Sequence, residues 1–238
     1  MGQAAIGILM LDTKFPRLLG DIGHTKTWDF PVHMRVVRGA SASQVVEHDP
    51  RLLLPEFIKA GHQLISQGCS GLTTSCGFLG LMQTELKDAL GVPFASSPLM
   101  QLPMIEAMLP AGQEAGVLTI SEENLTPEHL AACGARTDTA IAGLPRNGVF
   151  AEMIFNDKND IDIEACRNEI CCSAARLVGS GSTIGAIVLE CTNLAPYAHD
   201  IFKATGKPVY SIVSFLNWFQ SGLKPHHFRN NQAYVLAP

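Results

Sequence analysis

The chain restarts itself halfway along. A strand-like run that begins at glycine, Gly7-Ile8-Leu9-Met10-Leu11, leads after several elements to a polar turn holding Cys76. A second such run, Gly116-Val117-Leu118-Thr119-Ile120, leads over a similar length to a polar turn holding Cys191. Between these landmarks, short apolar runs alternate with longer amphipathic ones, the pattern of an α/β protein with mainly parallel strands. The expected architecture is two similar three-layer α/β lobes related by a pseudo-two-fold, with the active site in the cleft between them. Residues 1–98 together with 209–238 are expected to form the first lobe and residues 99–208 the second, the chain from Val209 packing back on the first.

The pattern places strands at 6–11, 32–37, 71–74 and 94–96 in the first half, then at 116–121, 139–142, 185–189 and 208–214. Helices are expected at 53–67, where Leu53, Leu54, Phe57, Ile58, Leu64 and Ile65 form one stripe, and at 79–90, 100–109 and 161–178. Further helices start near Thr126 or Pro127 and near Pro196, and an aromatic one covers Phe215 to Phe219.

With 238 residues, 47% of them hydrophobic, the chain can bury a sizeable core. Its net charge of −5, with no clustered Lys or Arg, argues against nucleic acid as a partner. No run approaches the roughly 18 apolar residues of a membrane span. The start, Met1 to Ile6, has no basic segment, so it does not read as a signal peptide, and Ile6 stands where myristoylation needs Ser or Thr. The seven cysteines (69, 76, 133, 166, 171, 172 and 191) are odd in number and scattered. Reduced thiols in a cytoplasmic protein are expected.

Cys76 and Cys191 differ in setting from the other five. Thr73-Thr74-Ser75-Cys76-Gly77 puts a thiol between a strand end and a helix start, where free N–H groups and the helix dipole favour thiolate. The hydroxyls before it can donate to an anion, and Gly77 lets backbone come close. Glu190-Cys191-Thr192-Asn193 repeats the design, with Thr and Asn as donors for a carboxylate. Cys69, Cys133, Cys166, Cys171 and Cys172 read instead as small buried hydrophobes. Ligands of open α/β sheets bind beyond the carboxyl ends of the strands, where both polar turns fall. Two thiols flanking one carbon can remove a proton on one face and return it on the other, exchanging roles for the opposite enantiomer. That scheme requires neither metal nor organic cofactor.

Asp12-Thr13 after the first strand, Cys76 after Thr-Thr-Ser, and Cys191-Thr192-Asn193 after an apolar strand together resemble the aspartate/glutamate/hydantoin racemase superfamily, over nearly the whole chain. The resemblance implies two α/β lobes, a Cys from each as the acid/base pair, and no cofactor. It further implies Asp12 and Thr13 at the active site, and Thr74, Ser75, Thr192 and Asn193 as contacts to the substrate's carboxylate and amine. Homodimers are also implied. Glutamate racemases carry Asn-Thr after the first cysteine and Thr-His after the second; Gly77-Phe78 and Thr192-Asn193 stand here instead. Phe78 at the site fits a less polar substrate, such as a hydantoin or another α-substituted acid. The expected activity is cofactor-independent racemisation of an amino acid or related α-substituted acid, a small molecule bearing a carboxylate or carbonyl. A decarboxylase or cis–trans isomerase of the same superfamily, working with one essential cysteine, is the alternative. A non-catalytic binder of small carboxylates is a further one.

Other signals carry less. Gly179 to Gly185 lacks nucleotide-loop spacing and reads as a helix-to-strand turn. His226 and His227 lack companion ligands and read as surface residues. Arg17 could clamp a carboxylate but reads as an exposed loop residue. Asp157 to Asp162 reads as a solvated turn with helix capping.

Overall fold

The computed structural model describes residues 3–180 and 183–225. In the first half, β1 (Ala5–Leu11), β2 (Val32–Val37), α1 (Ala42–Val46), α2 (Leu54–Ser66), β3 (Cys69–Thr74), α3 (Gln83–Leu90), β4 (Phe94–Ala95) and α4 (Leu102–Met108) follow in order. In the second come β5 (Glu114–Thr119), α5 (Pro127–Ala132), β6 (Ala140–Gly143), α6 (Val149–Phe155), α7 (Ile163–Ser180), β7 (Ile184–Leu189), α8 (Ala198–Thr205), β8 (Val209–Tyr210) and α9 (Ile212–Leu223). They build two four-stranded sheets with strand orders β2-β1-β3-β4 and β6-β5-β7-β8, every pairing parallel. The expected α/β architecture of two similar lobes is what the chain adopts.

The repetition extends to details of the backbone. Each central strand pair carries one register shift at its start, at Ala5/Ile6 in the first sheet and at Glu114/Ala115 in the second. Leu9 pairs with Thr74, and Leu118 pairs with Leu189. The residues after those partners, Ser75 and Glu190, donate their amides to the carbonyls of Leu9 and Leu118, each at 3.0 Å. Ser75 and Glu190 are therefore equivalents, and so are Cys76 and Cys191. The two opening glycines have one physical purpose. A Cβ on Gly7 would lie 3.0 Å from Leu64 of α2, and one on Gly116 would lie 3.0 Å from Leu177 of α7. Close helix-to-strand packing at both places requires the missing side chain.

Parallel strands covered on both faces read as continuous apolar runs, and β7 is buried at all six positions. The main core runs through both lobes, from Leu9, Phe57 and Leu72 to Leu118, Ile170 and Val188. A second cluster packs Ile6, Ile8 and Met10 of β1 against Ile212, Phe215 and Leu216 of α9.

The C-terminal segment corrects the expected boundary at 209. Val209 and Tyr210 pair with Ile187 and Val188, so β8 closes the second sheet; only from Ile212 does the chain pack on the first. The strand expected over 208–214 is two residues long because Ser211 caps a helix, its hydroxyl accepting from the Val213 amide at 3.2 Å. Two short helices went unread. α1 is only five residues long and α6 only seven. The segment read as one helix from 79 to 90 starts as a 3-10 turn over Gly77–Met82 before α3. The glycine run after α7 does lie between a helix and a strand, although residues 181 and 182 are outside the described part, as are His226 and His227. No helix among the described residues is long and apolar enough to cross a membrane.

Candidate active site

Both cysteines stand immediately beyond the carboxyl end of a central strand, each as the first residue before a six-residue 3-10 turn: Cys76 before Gly77–Met82, Cys191 before Thr192–Tyr197. Parallel topology delivers the two turns to the same side, and they face each other between the lobes. One cavity takes Ser75, Cys76 and Phe78 from the first turn and Glu190, Cys191 and Asn193 from the second. Its remaining walls are mostly apolar: Leu11, Ala42, Val46, Ile120 and Ile154, with Phe15. The enclosed space is about 20 Å³, room for roughly one water molecule.

A direct hydrogen bond joins the turns: the Thr192 hydroxyl donates to the Ser75 carbonyl at 2.6 Å. The loop after β1 closes another side. Arg17 donates to Asp21 Oδ1 at 2.9 Å and to Thr13 Oγ1 at 2.8 Å, and its guanidinium lies 4.6 Å over the Phe15 ring. Asp21 also accepts from Asn193 Nδ2 at 2.6 Å, and Asn193 Oδ1 accepts from the Cys191 thiol at 3.7 Å. From the second lobe, Asp157 Oδ1 accepts from the amides of Lys14 and Phe15 at 2.6 and 3.0 Å. Arg17 is thus no exposed loop residue; its side chain is 15% exposed and lines the cavity. Asp157, expected in a solvated turn, reaches across to the other lobe, whereas Asp162 does cap α7 by accepting from the Ala165 amide.

The other residues singled out in the sequence divide into two groups. Thr13, Ser75, Phe78 and Asn193 line the cavity with the cysteines. Asp12, Thr74, Gly77 and Thr192 do not. Asp12 is exposed and accepts from the Gly39 amide at 3.2 Å. Thr74 is fully buried with its hydroxyl donated to the carbonyls of Ser96 and Cys76, which leaves it without a proton to offer a ligand. Thr192 is spent on Ser75. Gly77 packs on Glu190: a Cβ there would stand 2.3 Å from the Glu190 carbonyl and 2.4 Å from Oε1, so no other residue fits. Of the five cysteines read as buried, Cys69, Cys133 and Cys166 are; Cys171 is partly exposed and Cys172 exposed, because both lie toward the outer side of α7.

The residue that the sequence reading left out of the site is Glu190. It is fully buried, and Oε2 accepts from the Thr119 hydroxyl at 2.7 Å while Oε1 has no hydrogen-bond partner. Burial pushes its pKa up to about 7, only partly offset by Thr119 and the nearby amides of Ile120 and Phe78. The signal was present as a charged residue at the end of an all-apolar strand.

The electrostatics reverse one expectation. Helix-start amides do stabilise thiolate, those of Phe78 and Leu79 at Cys76 and that of Asn193 at Cys191. Burial outweighs them and pushes both thiols well above the ordinary range, and Glu190 adds to the shift when it is ionised. The buried setting therefore favours the neutral thiol at both cysteines. Among the described residues no group of three or more His, Cys, Asp and Glu side chains is placed to hold a metal ion.

Two α/β lobes with a cysteine from each at a shared cavity define the class: the chain has the fold seen in arylmalonate decarboxylase, aspartate racemase and allantoin racemase. It superimposes on unliganded arylmalonate decarboxylase (TM-score 0.58, 15% identity, 92% of both chains) and on the aspartate racemase of Picrophilus torridus (0.60, 12%, covering 92% of this chain and 93% of the other). Allantoin racemase from Klebsiella pneumoniae is equally similar (0.61, 16%, 92% and 87%). No protein-family model matches the chain.

Among curated proteins the relatives are lyases. Dimethylsulfoniopropionate lyase 7 of Emiliania huxleyi is 28% identical over 231 residues, which is 92% of this chain and 67% of that protein. Dimethylsulfoniopropionate lyase 3 of the same alga is 27% identical over 226 residues, and dimethylsulfoniopropionate lyase of Durusdinium sp. clade D is 26% identical over 228. The chain spans 58% and 75% of the lengths of these two.

Proposed function

We propose that the chain is an enzyme that removes the proton α to a carboxylate, and that its reaction is β-elimination on a substrate of the dimethylsulfoniopropionate class. The observation that carries this reading is the single cavity into which both cysteine turns converge, bonded to each other through Thr192 and Ser75. The names of the relatives supply the leaving group. In such a substrate a sulfonium stands β to the carboxylate. A thiolate takes the C2 proton, the C2–H electron pair becomes the C2=C3 double bond, and the C3–S bond breaks with its pair going to sulfur. The products are acrylate and dimethyl sulfide, and the thiol returns its proton to solvent.

The electrostatics of the cavity support a cationic substrate. Arg17, the cation in its wall, is already paired with Asp21, and burial favours the neutral form of both thiols. A sulfonium brought alongside lowers the energy of a thiolate in the same low-dielectric space. Apolar walls suit the two methyl groups. The test is release of dimethyl sulfide and acrylate from dimethylsulfoniopropionate by the purified chain, followed by gas chromatography. Absence of both products with a folded protein would reject the elimination.

A second reading is racemisation of an α-substituted acid, favoured by the presence of a thiol on each lobe. It predicts solvent deuterium at the α-carbon with loss of optical activity and no bond cleavage, and both cysteines essential.

A further inference from the structure

The internal repeat isolates one asymmetry in the site. Ser75 and Glu190 occupy equivalent positions before the two cysteines, and the Ser75 hydroxyl completes its half by accepting from the Leu11 amide at 2.9 Å. On the second lobe the corresponding place holds a carboxylic acid, larger than the repeat requires. Its Oε2 is satisfied by Thr119, yet Oε1 is buried with no partner. Buried polar oxygens are as a rule paired, so this one calls for a partner. Gly77 clears the space that Oε1 occupies, on the Cys76 turn. The acid thus sits between the two thiol-bearing turns, in the wall of the cavity.

We propose that Glu190, as a neutral carboxylic acid, donates a hydrogen bond from its unpartnered oxygen to the carboxylate of the substrate and stabilises the negative charge that collects there when the α-proton leaves. The inference rests on the proton-abstraction reading above. Loss of the α-proton turns a carboxylate into an enediolate with a second negative charge on the oxygens. A donor already in place, in a site closed to water, lowers that barrier most effectively. Only the protonated acid can donate; the ionised form would repel both the carboxylate end of the substrate and the thiolate. The groups facing Glu190 agree with a neutral acid. The Thr119 hydroxyl of β5 and the amides of Ile120 and Phe78 favour the ionised form, but burial outweighs them; Cys76 and Gly77 come from the turn after β3, Cys133 from the end of α5, and Cys191 from its own turn. None is a cation. His129, edge-on to Phe78 with centroids 5.3 Å apart, is kept neutral by burial, and Arg17 is paired with Asp21.

The test measures binding as well as turnover, so that it remains decisive if the substrate is another acid. Acrylate is titrated calorimetrically into the full chain and into Glu190→Gln at pH 6 and pH 8.5. In the wild type, affinity is expected to fall at least tenfold between the two, as the acid ionises; in Glu190→Gln, still a neutral donor, the fall is expected to vanish. Thr119→Val removes the hydrogen bond that favours the ionised form and is expected to move the wild-type midpoint to higher pH. The same pH dependence in all three proteins, or no acrylate binding by the wild type at pH 6, overturns the proposal. Pronounced pH-dependent binding lost in Glu190→Gln, without any dimethyl sulfide release, would uphold it while rejecting the leaving group.

Discussion

The Thr192 hydroxyl and the Ser75 carbonyl, 2.6 Å apart, join the two cysteine turns across the lobes. Each belongs to a residue adjacent to a cysteine, so this one bond sets how the thiols face each other. Thr192→Val keeps the shape, removes the donor and leaves a buried carbonyl unpaired. A loss of about 1–3 kcal/mol is expected in urea unfolding, together with a fall in kcat exceeding any change in KM.

Replacement of Cys76 or Cys191 by Ser separates the readings of function. A serine is nearly isosteric but far too weak an acid to supply the base. If elimination is catalysed, the variant lacking the base should lose about 10²–10⁴ in kcat, while the other keeps a measurable fraction. Racemisation requires both. Circular dichroism of each variant should remain native.

Thiol alkylation tests the electrostatics of the resting cavity. Cys172 is exposed, whereas burial favours the neutral thiol at Cys76 and Cys191. Iodoacetamide at pH 7.5 should label Cys172 first, as read by peptide mass spectrometry. Faster labelling of Cys76 or Cys191 would mean that a thiolate forms without substrate.

Glu190 also predicts how stability varies with pH. Its pKa is raised from the ordinary 4.5 to about 7 in the folded chain, so the native state binds more protons than the unfolded state between those values. Its contribution to stability is full below pH 4.5 and is lost as pH rises through 7. A shift of that size amounts to on the order of 3 kcal/mol. Glu190→Gln should be more stable relative to the wild type at pH 8.5 than at pH 5, by denaturant unfolding at both.

Gly77→Ala probes the packing that makes room for this acid. Its methyl group would meet the Glu190 carbonyl at 2.3 Å and Oε1 at 2.4 Å, and the carbonyl is backbone that cannot step aside. Destabilisation of about 1–3 kcal/mol is expected, with the loss of activity at 20 °C exceeding what the unfolded fraction explains.

Much of the architecture was legible because its signals are local. The glycine-led apolar runs, the helical stripe ending at Ser66 and the small polar residues around each cysteine report on backbone conformation and burial wherever the rest of the chain lies. Short elements escaped for the converse reason: α1 and α6, at five and seven residues, hold too few turns for a period to show.

The sequence by itself determined that the chain would repeat an α/β unit and end a central strand of each copy in a cysteine, since periodicity and residue type are properties of neighbours. Only the tertiary structure decided which hydroxyls remain available, that Thr74 is consumed by Ser96 and Cys76 while Arg17 turns inward to Asp21, and that Glu190 shares a cavity with both thiols. It also decided the state of those thiols. Amides that favour thiolate are local, but the burial that outweighs them comes from residues that the tertiary fold brings together.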